Sequence, residues 1–141
     1  MRWLALDIGS KRVGLAVCDA EERVASSLPA MEYRGPELLA SEIADLVRAW
    51  GAEGVVVGLP VTRKGEGRGE KRVSTVVTSL RNHLEVPVET ADETGTTSDA
   101  KALLAETGVP PRRWPELVDS LAARLILEAY LASRQARRSH R

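Results

Sequence analysis

Two short runs with the period of β-strands open the chain. Residues 3–8 are apolar except for Asp7, and residues 13–18 alternate larger with smaller apolar side chains. Gly9 and Ser10 between the two runs suit a tight turn. The pattern predicts a β-hairpin in which Asp7 lies at the end of the first strand.

Further along, short apolar runs alternate with segments of helical period. A third strand is predicted over 24–33, where Pro29 favours the edge of a sheet. The later strands are predicted at 55–57 and 86–90, and the helices at 36–50, from the basic loop to about 83, at 96–106 and at 116–134. The order βββαβαβαα predicts an α/β fold with a mixed five-stranded sheet, in which two parallel crossover strands follow an antiparallel meander. We expect the first strand in mid-sheet, parallel to 55–57.

The first predicted helix has a clear apolar face. Leu39, Ile43, Leu46, Val47 and Trp50 share one side of it, so we expect all five in the core. The last helix carries a broad apolar stripe as well, which predicts that it packs on the sheet.

The charge balance limits the class of partner. The 141 residues contain 20 Lys and Arg against 20 Asp and Glu, which argues against a surface covered by phosphate contacts. Positive charge is concentrated in a basic loop at 61–72 and after residue 134. We expect one domain over 1–134, followed by a disordered basic tail at 135–141.

Cysteine and histidine usage argues against two kinds of site. One Cys cannot form an intramolecular disulfide, and two scattered His cannot build a zinc site. A reducing, cytoplasmic location is therefore expected. No apolar run is long enough to cross a bilayer, so no membrane partner is expected.

Acidic residues from three distant segments are predicted to meet at one edge of the sheet. Asp7 ends the first strand, Asp92 and Glu93 follow the last strand, and Asp119 lies early in the final helix. Sites in such sheets form outside the carboxyl ends of the parallel strands, and the final helix can pack over that edge. Asp7, Glu93 and Asp119 would then converge.

Converging carboxylates repel one another unless a cation compensates. Their oxygen atoms select hard cations, so Mg²⁺ or Mn²⁺ is the expected cofactor. Two such ions about 4 Å apart activate a water and stabilise the leaving oxygen in phosphodiester cleavage. The basic loop is predicted at the same edge, where Arg63, Lys64 and Arg68 suit a phosphate backbone.

Each feature also has a simpler interpretation. Asp7 could initiate the turn by accepting backbone hydrogen bonds, and Asp119 could interact only with the helix dipole. Lys11, Arg12 and the basic loop could be solvated. Taken one at a time, the residues leave these alternatives open.

Four blocks of the chain carry a family resemblance. They are Asp7-Ile-Gly9-Ser-Lys11-Arg12-Val-Gly14, Val57-Gly58-Leu59-Pro60, Asp92-Glu93 followed by Thr96-Thr97, and Val118-Asp119-Ser-Leu-Ala-Ala123 with Leu125-Ile-Leu127. In order and spacing they resemble the YqgF/RuvX family of the RNase H-like superfamily over nearly the whole chain. That family is associated with Holliday-junction resolution and with 5′-end processing of the small-subunit ribosomal RNA precursor.

The resemblance implies a metal-dependent nuclease and assigns roles to residues. Asp7, Glu93 and Asp119 match the acidic, metal-binding catalytic residues. The supporting positions are Gly9, Asp92 and Thr96, and the candidate nucleic-acid contacts are Lys11, Arg12, Arg63, Lys64 and Arg68. Branched DNA or precursor rRNA is the implied partner, and a symmetric junction would favour a homodimer.

Two residues depart from the family pattern. Thr94 stands where the family usually has Arg, and Gly95 stands where a larger residue is usual. The missing Arg removes a phosphate contact or a carboxylate partner, for which Arg63 could substitute. The departure concerns substrate preference more than metal binding.

Two other classes share parts of the pattern. Nucleotide-binding domains of the actin and sugar-kinase type have a similar Asp-x-Gly hairpin, but they need a second domain for which 141 residues leave no room. A non-catalytic nucleic-acid- or ribosome-binding module would keep the same fold. The intact set of three acidic residues favours catalysis over such a module.

Overall fold

Five strands form one mixed sheet in the predicted order. In the computed structural model, which describes residues 1–59, 67–92 and 96–139, the strands are β1 (Trp3–Ile8), β2 (Arg12–Cys18), β3 (Ala25–Glu32), β4 (Gly54–Leu59) and β5 (Val88–Asp92). Their order across the sheet is β3-β2-β1-β4-β5. β1 is antiparallel to β2 and parallel to β4, with Leu4 opposite Val55. The predicted mixed sheet, the central β1 and the edge position of β3 are therefore confirmed.

In the described residues there are four helices. They are α1 (Pro36–Trp50), α2 (Gly67–His83), α3 (Thr96–Thr107) and α4 (Trp114–Ser139), and a 3₁₀ turn over Pro111–Arg113 leads into α4. Of these, α1 and α2 lie on one face of the sheet, α4 lies on the other and α3 packs on α4. Side chains of β1 alternate between two cores. Leu4 and Leu6 pack in the core beneath α1 and α2, whereas Trp3 and Ala5 pack against α4. In the described part of the chain, no helix is long and apolar enough to span a membrane.

Two local predictions are wrong. Trp50 is 40% exposed rather than buried, because α1 ends there and Gly51, at a φ of 64°, turns the chain toward β4. The last strand begins at Val88 rather than Val86, because Pro87 has no N–H to donate to the sheet. Pro87 joins β4 only through its carbonyl oxygen, which accepts a hydrogen bond from Val55.

The basic tail predicted to be disordered is helical as far as Ser139. Arg134 and Arg138 reach back to the carboxylate of Glu22, at 2.8 Å and 3.0 Å, and Gln135 donates to the backbone oxygen of Glu22. These contacts give the basic residues a folded partner, which is why the prediction fails over 135–139. Residues 140–141 lie outside the described part.

Candidate active site

Asp7 occupies the C-terminal end of the central strand. It follows Trp3 and Ala5 at intervals of two, so it lies on the face of the sheet that α4 covers. Its partner across the antiparallel ladder is Gly14 of β2, and its side chain is partly exposed. Because β1 has a paired strand on each side, the backbone that carries this carboxylate is rigid.

Gly14 allows the backbone of Asp119 to pack closely on β2, opposite Asp7 in the sheet. A Cβ atom at Gly14 would lie 1.8 Å from the Asp119 carbonyl oxygen and 2.3 Å from its carbonyl carbon. Any side chain at Gly14 would therefore collide with α4. The glycine lets α4 contact the strand pair that holds Asp7, so the backbone positions of Asp7 and Asp119, which are far apart in the sequence, lie close together.

Hydrogen bonds beside Asp119 fix the position of α4 along the sheet. The Ser120 hydroxyl donates to the Leu28 carbonyl at 2.7 Å, and the Ser27 hydroxyl donates to the Ser120 carbonyl at 3.1 Å. Ser120 is one of the buried polar residues of the described chain. This pair of bonds ties the helix to β3 one residue after Asp119, which limits how far the carboxylate can shift.

Arg12 provides the charge that faces Asp119. Its Nε donates to Oδ2 of Asp119 at 2.7 Å, and the two side chains are 38% and 22% exposed. Sequence reasoning assigned Arg12 to phosphate and missed this ion pair. The strand period contains a signal for it, since Arg12 lies two residues before Gly14 and so on the same face.

The turn between β1 and β2 positions Arg12. The Gly9 amide donates to the Arg12 carbonyl at 2.9 Å, the same distance at which a Cβ on Gly9 would meet that oxygen. Gly9 therefore shapes the turn that carries Arg12, and its supporting role in the site stays a prediction. Lys11 lies exposed in this turn, and its carbonyl accepts a hydrogen bond from the Tyr33 amide.

The end of β5 lies two strands away from Asp7. Ala91 pairs with Gly58 of β4 and packs in the core on the α4 side. Neighbouring strands are about 4.8 Å apart, so the backbone of β5 at Ala91 is roughly 10 Å from the backbone of β1 at Asp7. Asp92 ends β5 opposite Leu59 and is exposed.

Several predicted site residues have no described side chain that could be compared with Asp7 and Asp119. Glu93, Thr94, Arg63 and Lys64 lie outside the described residues, and for Arg68 and Thr96 only the backbone, at the starts of α2 and α3, is described. The structure therefore brings together Asp7, Asp119 and Arg12, and the role of Glu93 stays a prediction.

The donor set suits a hard cation. Asp7 and Asp119 offer only carboxylate oxygens, which Mg²⁺ and Mn²⁺ prefer. Over residues 1–59, 67–92 and 96–139, no group of three or more His, Cys, Asp and Glu side chains is close enough to hold a metal ion. A third protein ligand for the Asp7–Asp119 pair would have to come from elsewhere, and Glu93 is the predicted one.

Curated relatives resemble the chain over nearly its full length. A protein of Chloroflexus aggregans is 39% identical over 133 residues, which are 94% of each chain, and one of Desulforudis audaxviator is 39% identical over 140 residues, which are 99% of each. Both are named "Putative pre-16S rRNA nuclease".

Solved structures resemble the fold. A Thermus thermophilus RuvC in complex with a Holliday junction substrate has a TM-score of 0.63 at 17% identity and covers 96% of both chains. A fowlpox virus resolvase in complex with Holliday junction DNA has a TM-score of 0.58 at 12% identity, covering 95% of this chain and 99% of the other. At these identities the likeness concerns the RNase H-like fold alone.

The family model described as "RuvX: Holliday junction resolvase" matches residues 1–133. That match includes β1, Gly14 and Asp119, the elements from which the site is built. It also removes the kinase-type alternative, because it accounts for the hairpin and the final helix together. The chain belongs to the RuvX family of RNase H-like nucleases.

Proposed function

We propose that this chain is a divalent-metal-dependent nuclease that hydrolyses phosphodiester bonds in structured nucleic acid, with Asp7, Glu93 and Asp119 as its metal-binding carboxylates. The observation that carries the proposal is the contact between Gly14 and the backbone of Asp119. It supports a shared site because Gly14 is the ladder partner of Asp7. A helix-dipole role for Asp119 would not require this close approach.

Mg²⁺ or Mn²⁺ is the proposed cofactor because all three proposed ligands are carboxylates. When bound, such ions supply an activated water and stabilise the leaving oxygen. The contribution of the chain is rigid placement of the ligands. Asp7 stands on a central strand, and Asp119 stands on a helix anchored through Ser120.

Arg12 is proposed to have two functions. Its guanidinium beside Asp119 reduces the repulsion between that carboxylate and other acidic groups. The side chain is also 38% exposed, so part of its donor set faces solvent, where a phosphate oxygen can bind. Lys11 in the adjacent exposed turn is proposed to add a phosphate contact.

The basic loop is proposed to hold the phosphate backbone on the β4 side of Asp7. It follows β4, the strand that pairs with β1. Replacing Arg63, Lys64 and Arg68 together with Ala is expected to weaken nucleic-acid binding and flatten its salt dependence, with the fold unchanged. An unchanged salt slope would leave the loop without a binding function.

Two substrates are proposed. Relatives that are 36–40% identical are named for pre-16S rRNA, so a 5′-extended precursor of that RNA is the first proposed substrate. The family description names the Holliday junction, which makes a four-way DNA junction the second. Cutting a symmetric junction on two strands would require a homodimer.

The test is cleavage of both substrates under matched conditions. Labelled precursor RNA and a four-way DNA junction of equal length are incubated with Mg²⁺, with Mn²⁺ or with EDTA. We expect cleavage of at least one substrate with either metal and none with EDTA. Asp45→Asn is the control variant, because Asp45 is an exposed acid of α1 whose partner is Arg48 of the same helix.

A binding module without catalysis is the alternative. It would bind one of these substrates equally well in EDTA and in Mg²⁺, and it would cut neither. That result would overturn the proposed nuclease activity.

A further inference from the structure

A second cluster of basic residues lies beside Asp119, on the β2 side of the strand that carries Asp7. A surface pocket of about 410 Å³ is lined by Arg12, Arg112, Arg113, Pro115 and Leu117. Arg12 begins β2, and β2 and β4 flank β1 on opposite sides. The pocket therefore belongs to the β2 side of the strand that carries Asp7, whereas the basic loop follows β4 in the sequence.

The guanidinium groups of Arg112 and Arg113 are available for a ligand. Both side chains are exposed, and within the described residues neither forms an ion pair or a hydrogen bond through its guanidinium. By contrast, Arg134 and Arg138 are paired with Glu22, and Arg124 with Glu128. Two adjacent free arginines at the rim of a pocket are a typical arrangement for binding phosphate.

The backbone that presents these two arginines is restrained. They lie in a 3₁₀ turn that begins at Pro111, after Pro110, and in which the Arg113 amide donates to the Pro110 carbonyl. Trp114 anchors the end of the turn, because its Nε1 donates to the Val109 carbonyl at 2.8 Å and its ring packs on the core between α3 and α4. A restrained turn loses little conformational entropy when its side chains bind.

The pocket also has an apolar part. Leu117 is 36% exposed there and lies beside Pro115. An apolar surface beneath arginines suits the sugar and base of a nucleotide better than a free inorganic anion. The chemistry of the pocket thus favours a nucleic-acid strand.

We propose that Arg112 and Arg113, together with Arg12, form a second phosphate-binding site that holds the nucleic-acid strand on the β2 side of Asp7. This inference rests on the proposed nuclease function. A strand held by the basic loop on one side and by Arg112 and Arg113 on the other would cross Asp7 and Asp119. The two contacts would fix the scissile phosphate over the acidic pair.

The test measures binding rather than cleavage. Affinity for the labelled precursor RNA and for the four-way junction is determined in EDTA over a series of KCl concentrations. For Arg112→Gln with Arg113→Gln, we expect weaker binding and a slope of log K against log[salt] that is smaller by about 1 to 2, since each lost phosphate contact accounts for roughly 0.7 to 0.9. Both positions are exposed, so the melting temperature should not change.

A matched control removes the same charge elsewhere. Arg23→Gln with Arg48→Gln changes two exposed arginines, one in the turn after β2 and one in the last turn of α1, both at the opposite end of the sheet from Asp7. We expect this control to keep the wild-type slope. Arg112→Lys with Arg113→Lys should restore most of the slope, because it restores the charge.

The outcomes separate this inference from the nuclease activity. Equal slopes for the Arg112, Arg113 variant and its control would overturn the second phosphate site, even if the wild-type protein cuts its substrate. A reduced slope in a protein that never cuts with any metal would support the second site and overturn the nuclease.

Discussion

Glu22 contacts the C-terminal end of α4, and Asp119 lies near its N-terminal end. The two carboxylates differ in the number of cations around them and in their exposure. At the C-terminal end, the side chain of Glu22 is only 2% exposed and accepts hydrogen bonds from Arg134, Arg138 and the α-amino group of Met1. Near the N-terminal end, Asp119 is 22% exposed, and among the described residues its basic partner is Arg12 alone. One carboxylate is enclosed by cations, whereas the other has a side open to solvent.

The number of neighbouring cations accounts for the different roles expected of Glu22 and Asp119. The hydrogen bond from Arg134 is the main cause that lowers the pKa of Glu22 to about 2. Glu22 also has a φ of 60°, a left-handed conformation that costs a non-glycine residue about 1 kcal/mol or more, and the surrounding cations offset that cost. Glu22 therefore stabilises the fold and has no free oxygen for a metal, while Asp119 retains capacity for another ligand.

Neutralising Asp7 or Asp119 should have the largest effect, and that effect should be a loss of cleavage activity. Asp7→Asn and Asp119→Asn are each expected to reduce cleavage by about three orders of magnitude or more, because each removes a proposed metal ligand. The free energy of unfolding should stay within about 1 kcal/mol of wild type, since the Arg12 ion pair is partly exposed. Cleavage rates and thermal melting on the same samples check both statements, and wild-type activity in either variant would remove that residue from the site.

Neutralising the enclosed carboxylate should have the reverse effect. Glu22→Gln leaves Arg134 and Arg138 close together without a counter-charge, so we expect unfolding free energy to fall by about 3 kcal/mol. Cleavage at a temperature where the variant is folded should be unchanged. Urea unfolding, with Asp45→Asn as the exposed control, measures the first effect. A stability equal to wild type would show that the cluster around Glu22 is not stabilising.

The same cluster predicts a pH window for stability. The folded-state pKa of Glu22 is about 2 and its ordinary value is 4.5, so its contribution is complete above about pH 4.5 and is lost as the pH falls toward 2. The difference in unfolding free energy between wild type and Glu22→Gln should shrink across this window. Urea unfolding at a series of pH values from 6 down to about 2.5 measures the difference, and a constant value would contradict the low pKa.

Two glycines on the α4 face allow a smaller, matched comparison. Gly14→Ala would place Cβ 1.8 Å from the Asp119 carbonyl oxygen, whereas Gly54→Ala would place it 2.4 Å from the Trp3 ring at the other end of the sheet. We expect each to lower stability by about 2 kcal/mol through overpacking. Only Gly14→Ala should also reduce cleavage, by roughly 100-fold, because it displaces Asp119 from Asp7.

Unfolding and cleavage assays on the folded variants separate the two effects of these substitutions. Equal activity of Gly14→Ala and Gly54→Ala would contradict a catalytic role for the contact between Gly14 and Asp119.

Periodicity predicted the fold because each strand and helix carries its own pattern of apolar positions. The apolar run of β1 and the crossover length that leads to β4 were sufficient to place Leu4 beside Val55. The same patterns could not show that Trp50 is exposed at the end of α1, since helical period does not give the depth at which the last turn is buried.

The ion pairs escaped prediction because they join distant parts of the chain. Arg12 and Asp119 are 107 positions apart, and Glu22 and Arg134 are 112 apart, so the sequence around one partner does not identify the other. The convergence of Asp7 and Asp119 could be predicted from the topology. The glycine contact that produces it became clear only from the packing of α4 on β2.

Crystals grown with Mn²⁺ test directly whether Asp7 and Asp119 bind the same metal ion, as proposed. In an anomalous difference map, we predict a peak with carboxylate oxygens of both residues within about 2.2 Å. A protein that cuts its substrate with Mn²⁺ but shows no peak touching both carboxylates would contradict the proposal.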